Sequence, residues 1–560
     1  MGNFKAHDRN QGPERRRGPK RANLFGMSRV DSLENRSLLN AGPWTPSSPQ
    51  LTDVQNGPMA NLGGTLIGVY SAYANTHGDM NQVKAAYSYL RFQGSMVQVG
   101  FSSGSGDFNG LLNSLKNLGM QVSSSSAYYG LVEGYLPITQ LPAAAQLPQT
   151  MSGRPIYAPT VSYKGVANNE AETALGVAAA RTTYGVDGTG ITVGVISDSA
   201  NQVTTTSGTG LAGSYATGDL PNGKVQIIQD YTEADATDEG RAMMENIYDI
   251  APGANLAFAT GFISDFSFGQ NILALANQAG ADIIVDDIGW ADDPFFQPGF
   301  ITQAINTVTA SGVSYFSAIG NSQDSGYLSA FRGVNGTVTG LGSGRFMNFN
   351  ATGGTSLSLP ITTDGPNTTI SFQFDQPFKT QQAATSTNSV TSQVNIYVLD
   401  ANGNIVASGT DNNVATQQPL QFFSIPTAGT YSIVVQVISG ADPGHIEFSQ
   451  FGGSGTMVVS PDFSGNGNYF VSGGGHSSAV NTIGVGAAPW WATSPYLNQN
   501  PLANESFSSF GPSIQVRDSG GNLLTSPITV LNPTITAPDG GNPSFFGQVI
   551  DTTQVDPPTS

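Results

Sequence analysis

Ser197-Asp198-Ser199, Asp287-Ile288-Gly289 and Gly320-Asn321-Ser322 each follow a short apolar run that reads as a strand, and Glu239 opens a run that reads as a helix. The groups on offer are carboxyls, hydroxyls and an amide. Zero cysteines exclude disulfides, zinc–thiolate sites, iron–sulfur clusters and thiol catalysis together. No H-E-x-x-H, P-loop or G-x-S-x-G motif occurs. The four histidines, His7, His77, His445 and His476, make a metal cluster improbable. The abundance of Asn, Asp and Gly leaves room for a structural calcium site, but the chain has no D-x-[DN]-x-[DN]-G loop to support one.

The elements that would position these residues alternate. Strand runs are expected at Ile191–Ile196, Asn255–Ala259, Ile283–Asp286 and Val313–Ala318, and helical runs at Glu239–Ile250, Phe268–Ala279 and Phe300–Ala310. Gly280 and Gly312 close the last two helices. This rhythm implies a parallel sheet covered on both faces, with a ligand site at the carboxyl ends of its strands. From about Tyr327 the helical period stops, and residues 350–450 read as short strands with turn signals such as Asp400-Ala401-Asn402-Gly403, the pattern of a β-sandwich. Strand signals return at Val480–Val485, so the sandwich reads as an insertion. Before all this, about 60–155 reads as a small α/β unit. Asp107 would cap a helix carrying Leu111, Leu112, Leu115 and Leu118 and stopped by Gly119, and a proline-punctuated tail would follow from Leu136 to Pro155.

The 560 residues are 39% hydrophobic, enough for several packed cores, and only 11% charged. The net charge of −18 is uneven: residues 1–36 hold nine basic against four acidic groups, and the remainder 12 against 35. A body that acidic repels phosphate backbones, so nucleic acid is not an expected partner. No apolar run approaches the roughly 18 residues of a membrane span. The basic head, 1–55, lacks periodicity and reads as a disordered or targeting segment; its apolar stretch Ala22–Met27 is too short for a secretory signal. Leu33-Glu34-Asn35-Arg36-Ser37-Leu38-Leu39 resembles the L-E-x-R-x-L-L element near the start of many planctomycete surface and secreted proteins, which implies export to the surface or beyond.

Five segments, in order, resemble the subtilase superfamily of serine peptidases. Gly188 to Ser199 resembles the strand ending in the catalytic aspartate, and Ala251-Pro252-Gly253-Ala254-Asn255-Leu256 the stretch after the helix bearing the base. Ser317-Ala318-Ile319-Gly320-Asn321 resembles S-A-G-N, whose Asn donates to the oxyanion. Phe507 to Pro512 and Ile535 to Gly540 resemble the elements before the nucleophile. The resemblance implies a subtilisin-like, doubly wound α/β peptidase domain (165–330 and 470–560). It also implies a propeptide-like α/β unit (60–155), while the strand pattern between the two peptidase parts reads as an inserted all-β sandwich (335–465).

Two positions depart from the family pattern. Glu239, in Asp238-Glu239-Gly240-Arg241, stands where the catalytic histidine would be, as in the sedolisin branch, but Met243 occupies the place of the sedolisin aspartate. The G-T-S run bearing the nucleophile is absent; Ser560 follows Pro558-Thr559 and does not match it. The nucleophile therefore lies beyond these residues, or the protein is inactive.

The resemblance thus implies an Asp198–Glu239–(Ser) constellation with Asn321 as oxyanion donor, hydrolysing peptide bonds of protein substrates without a required cofactor. The rival is a catalytically inactive protease-fold surface protein whose sandwich binds carbohydrate or protein. Asp287 lies by the presumed cleft, where a structural role is at least as well supported. His476, in Gly473-Gly474-Gly475-His476, reads as structural.

Overall fold

The computed structural model describes residues 51–540 apart from 105, 159, 162–169, 206–207, 495, 498 and 500. The chain divides into Met1–Ser37 and Leu38–Ser560. The basic head, the export-like element and Ser560 lie outside the described residues.

The first packed layer follows from its caps. A sheet of β1 (Met96–Ser103), β2 (Gln121–Ser126), β3 (Leu131–Pro137) and β4 (Thr150–Pro155) is antiparallel, with β1 between β3 and β4 and β2 outside β3. Asp107 accepts from Gly110 N at 2.8 Å and starts α1 (Phe108–Asn117), which buries Leu111 and Leu115. Gly119, at φ +88°, ends it. The stretch expected as a proline-punctuated tail begins on the last two residues of β3 and contains β4. Pro137 and Pro155 fall on the last residues of these strands, where a missing N–H costs little.

A seven-stranded sheet comes next. In chain order its strands are β5 (Thr192–Ser197), β6 (Val225–Gln229), β7 (Asn255–Thr260), β8 (Ile283–Asp286), then, after the short β9 (Ile288–Gly289), β10 (Ser314–Ala318), β11 (Ile483–Pro489) and β12 (Ile535–Asp539). Their spatial order is β6–β7–β5–β8–β10–β11–β12, every neighbour parallel. Helix α2 (Glu239–Ile250) covers one face through Met244 against Val193, Val195, Leu256 and Phe258. Helices α3 (Asp265–Gln278) and α4 (Phe300–Ala310) cover the other, packing Phe268, Ile272, Leu275 and Ile305 on Ile196, Ala257, Ile284 and Tyr315. The fold is α/β with a doubly covered parallel sheet. Strand β9 leaves this sheet and pairs antiparallel with Thr160–Val161.

Between β10 and β11, which are sheet neighbours, the chain builds two antiparallel sheets from residues 326–469. Tyr327, Phe349, Phe372, Ile396, Ile433, Val435 and Phe448 share one core between them. Strands Gly326–Ala330, Gly333–Val338 and Gly342–Met347 precede the short strands expected over 350–450; in the last two, Gly333, Gly336, Gly342 and Gly344 thin the apolar pattern. In the Asp400–Gly403 turn only Gly403 is at positive φ (+83°); Asp400 Oδ1 accepts from Asn402 N and Asn404 N, and the ladder shifts register at Val398/Leu399. Among the described residues no helix is long and apolar enough to cross a membrane.

Candidate functional site

The first turn of α2 is fixed from below by the end of β5. Asp198, fully buried, accepts from Thr237 Oγ1 at 2.7 Å, from Glu239 N at 3.0 Å, and from Thr237 N and Ser199 N. A carboxylate at exposed helix N–H groups answers both their unmet hydrogen bonds and the helix dipole. Burial raises the Asp198 pKa, and these hydrogen bonds oppose the rise.

Asp238, the residue before the helix, is held at φ +57°. Its carboxylate accepts from Gln202 N (2.8 Å), Val203 N (2.9 Å) and Ser199 Oγ (3.0 Å) and pairs with Arg241 at 3.2 Å. A left-handed non-glycine residue costs on the order of 1–3 kcal/mol, and Asp is among the types that tolerate it. Gly240 completes the entry: a Cβ there would lie 2.2 Å from a Phe258 ring carbon, so no larger residue lets α2 settle on β7.

This backbone aims Glu239 inward. It is buried, and its Oε2 accepts from Ser197 Oγ on β5. Burial first, then Asp287, then Asp198 push its pKa well above the usual carboxylate range, favouring the neutral acid. The Asp198 and Glu239 carboxyls are not hydrogen-bonded to each other.

Asp286 and Asp287 part company across the sheet. Val285 packs with the α2-side cluster and Ile284 with the α3/α4 side, so the pleat sends Asp287 toward Glu239 and Asp286 away. On that far side Asp286 Oδ1 accepts from Ser317 Oγ at 2.9 Å and faces His476 Nε2 at 3.2 Å, while Asp293 Oδ2 sits 2.7 Å from His476 Nδ1 and accepts from His476 N at 2.6 Å. Burial would lower the His476 pKa; Asp286 and Asp293 outweigh it and push it up to about 10. His476 is a buried imidazolium with no lone pair to offer.

Asn321 follows β10, where Gly320 takes φ +100°. The loop is clamped to residues 507–509: Ser509 N donates to Gly320 O, Ser322 N to Ser509 Oγ, and Gln323 N to Phe507 O, each at 2.9 Å. The Asn321 side chain is exposed and has no hydrogen-bond partner among the described residues. Three strand ends in a row, β5, β8 and β10, thus carry or adjoin Asp198, Asp287 and Asn321.

Immediately past Asp287, β9 offers an extended edge. The chain's own Thr160–Val161 lies on it, Val161 opposite Ile288 and Thr160 opposite Gly289. Sequence reasoning missed Ser197, Thr237 and Asp238 as partners here; the Asp238-Glu239 dipeptide at a helix start was the available signal.

No protein-family model and no curated protein matches the sequence. Solved structures of proteases do. The CspB protease of Clostridium perfringens shares 11% identity at a TM-score of 0.35, over 66% of this chain and 80% of that one. Fervidolysin from Fervidobacterium pennivorans, a keratinolytic enzyme related to subtilisin, shares 12% at 0.27, over 67% and 78%. The epidermin leader peptide processing serine protease EpiP of Staphylococcus aureus shares 10% at 0.26, over 40% and 60%. Likeness of that degree assigns no residue and no reaction, and the parallel α/β sheet stands on its own strand pairing.

Proposed function

We propose that this protein is a subtilase-like serine endopeptidase in which Glu239 takes the place of the usual histidine base. The observation that carries the reading is the placement of Glu239: a buried carboxyl on the first residue of α2, at the carboxyl ends of the central strands, next to Asp287 and beside a strand edge already holding an extended segment of the chain. A substrate backbone would add to β9 by antiparallel pairing, as Thr160–Val161 does. Glu239, once ionised, would accept the proton of the attacking serine hydroxyl and return it to the leaving amine. Asp198 would act through the backbone, fixing the turn that carries Glu239. Asn321 would donate to the oxyanion, worth about 2.7–4 kcal/mol in sites of this kind. The serine is not assigned to a described residue.

The test is the protein expressed from its full reading frame, assayed for casein hydrolysis and for covalent labelling by a fluorophosphonate. Hydrolysis that falls about a thousandfold in Glu239→Gln supports the reading; labelling and turnover unchanged in that variant would exclude Glu239. One observation favours the rival, a binding protein on an inactive protease fold: the Asp198 carboxylate is occupied by backbone donors and leaves none of its hydrogen bonds to the Glu239 carboxyl. Absence of both labelling and hydrolysis would decide for it.

A further inference from the structure

One side chain of the N-terminal unit reaches the rim of this site. The guanidinium carbon of Arg91 lies 4.9 Å from the Tyr231 ring centroid and 5.3 Å from that of Phe262, and Nη1 donates to Phe262 O. The two rings meet edge to face at 5.7 Å. All three residues are buried, at 8% exposure or less. Yet Arg91 Nε and Nη2 have no hydrogen-bond partner, and no carboxylate lies within ion-pair distance, among the described residues. The cation is held by ring faces and one carbonyl.

The walls of this box pack in the core cluster on the α3/α4 face and connect to the candidate site through the loop before α2 and through Thr260. Tyr231 sits on the loop that enters α2, and its hydroxyl donates to Asp235 Oδ1 at 2.8 Å. Phe262 N donates to Thr260 Oγ1 at 3.0 Å, and the same hydroxyl donates to Asp198 O at 2.6 Å. Glu233 and Asp235 stand exposed at the mouth. Gln98 Nε2 takes the next carbonyl, Ile263 O, at 2.9 Å. From Arg91 the unit continues toward β9: Ala158 N donates to Tyr89 O, Leu90 bridges Tyr157, and Thr160–Val161 follow on the edge beside Asp287.

We propose that Tyr231, Phe262 and the Phe262 carbonyl form a subsite for the guanidinium side chain of an incoming peptide, and that Arg91 fills it in cis while the N-terminal unit is docked. Guanidinium suits the box better than ammonium does. Its planar, weakly hydrated face lies against aromatic rings, and it tolerates donors left without partners, whereas a lysine head would lose its strong hydration. The acids at the mouth add attraction for a cation without entering the box. That the occupant is a substrate rests on the peptidase reading; that the box selects guanidinium does not.

The full chain bearing Arg91→Ala, with Arg91→Met as the variant that keeps side-chain volume, tests this without catalysis. The probes are methylguanidinium, and N-acetylarginine amide against its neutral citrulline counterpart, read by melting temperature and calorimetric titration. The expected result is a lowered melting temperature that methylguanidinium restores saturably, N-methylurea failing to do so. The citrulline compound should bind about tenfold more weakly than the arginine one, the loss that goes with a desolvated cation–π contact. Adding Tyr231→Ala should abolish the rescue. Equal effects of methylguanidinium and N-methylurea, or no saturable effect of either in both variants, overturns the proposal. An enzyme that fails to cut casein would leave this result untouched, and a failed rescue would leave the peptidase reading standing.

Discussion

Asp198 Oδ1 takes the backbone N–H of Glu239 at 3.0 Å and makes no hydrogen bond to its carboxyl group. Two acids on adjacent elements are therefore coupled through a helix turn and through space, which separates their contributions. One sets geometry; the other carries the titratable proton of the site.

Asp198→Ala should then act as a loss of capping. It strands the N–H groups of Ser199, Thr237 and Glu239 and the Thr237 hydroxyl, all around a buried position. The expected cost is on the order of 3 kcal/mol in urea unfolding, with the slope against urea unchanged. A loss under about 0.5 kcal/mol would mean that water replaces the carboxylate at no penalty.

Glu239→Gln should show its effect as a pH dependence. Burial and the neighbouring acids raise the Glu239 pKa above its unfolded value, so the folded chain keeps a proton that the unfolded chain has released. Stability tied to that proton is complete below the unfolded pKa near 4.5 and is lost as pH rises, by up to about 1.4 kcal/mol per pH unit. The amide has no such proton. The variant should match the wild type at pH 4 and exceed it progressively as pH rises above 5. Parallel stability curves across that range would place Glu239 in a solvated setting.

Much of this frame was legible in the sequence, for reasons that also explain the gaps. Helices Glu239–Ile250 and Phe300–Ala310 and strand Ile283–Asp286 have the expected bounds, because apolar period and glycine stops are local signals. Strand β6 is a sheet edge with mixed polarity, and residues 333–347 hide their strands behind glycines, so neither stood out. In the site, residue types were readable and partners were not. Asp198 binds the backbone donors of Thr237 and Glu239 far along the chain, and such caps leave no side-chain pattern. Asp286 and Asp287 are neighbours of the same type, and only the pleat of β8 decides which faces Glu239. Arg91 meets Tyr231 across two units, a pairing with no spacing to read.

The docking of the N-terminal unit should weaken as pH rises through neutrality. Arg154 on β4 is buried among Glu133 at 3.0 Å, Asp265 at 2.7 Å and Asp292 at 2.5 Å, one cation against three acids. Burial raises Glu133 and Asp292 to about 7, against the opposing pull of Arg154, with Asp265 adding repulsion to both and Asp293 to Asp292. Ser124, Ser264 and Gln381 supply the neutral hydrogen bonds of the cluster. Both acids keep their protons in the folded state at a pH where the unfolded chain has lost them. The contribution is thus whole below about pH 4 and gone above about pH 7. Amide exchange in β1, β3 and β4 should be slower at pH 5.5 than at pH 8, and Asp292→Asn should flatten the difference. Protection identical at both pH values, after correction for intrinsic exchange, would mean the cluster does not titrate in this range.

His476 should behave as a fixed cation. Asp286 and Asp293 grip both ring nitrogens, the Phe268 ring packs edge-on with its centroid 5.2 Å away, and the pKa stands near 10 after burial has taken its share. Its folded pKa is raised, so the stability it contributes is present in full below about 6.5 and is lost progressively from there up to about 10. The His476 ring proton resonance should therefore show no inflection between pH 5 and 9. His476→Gln leaves two buried carboxylates facing an amide, a change that costs about 3–5 kcal/mol when one partner of a buried pair is removed. A midpoint near 6.5 would show instead that solvent reaches the ring. It would also make His476 available to accept a proton, although it lies on the far face of the sheet from Glu239.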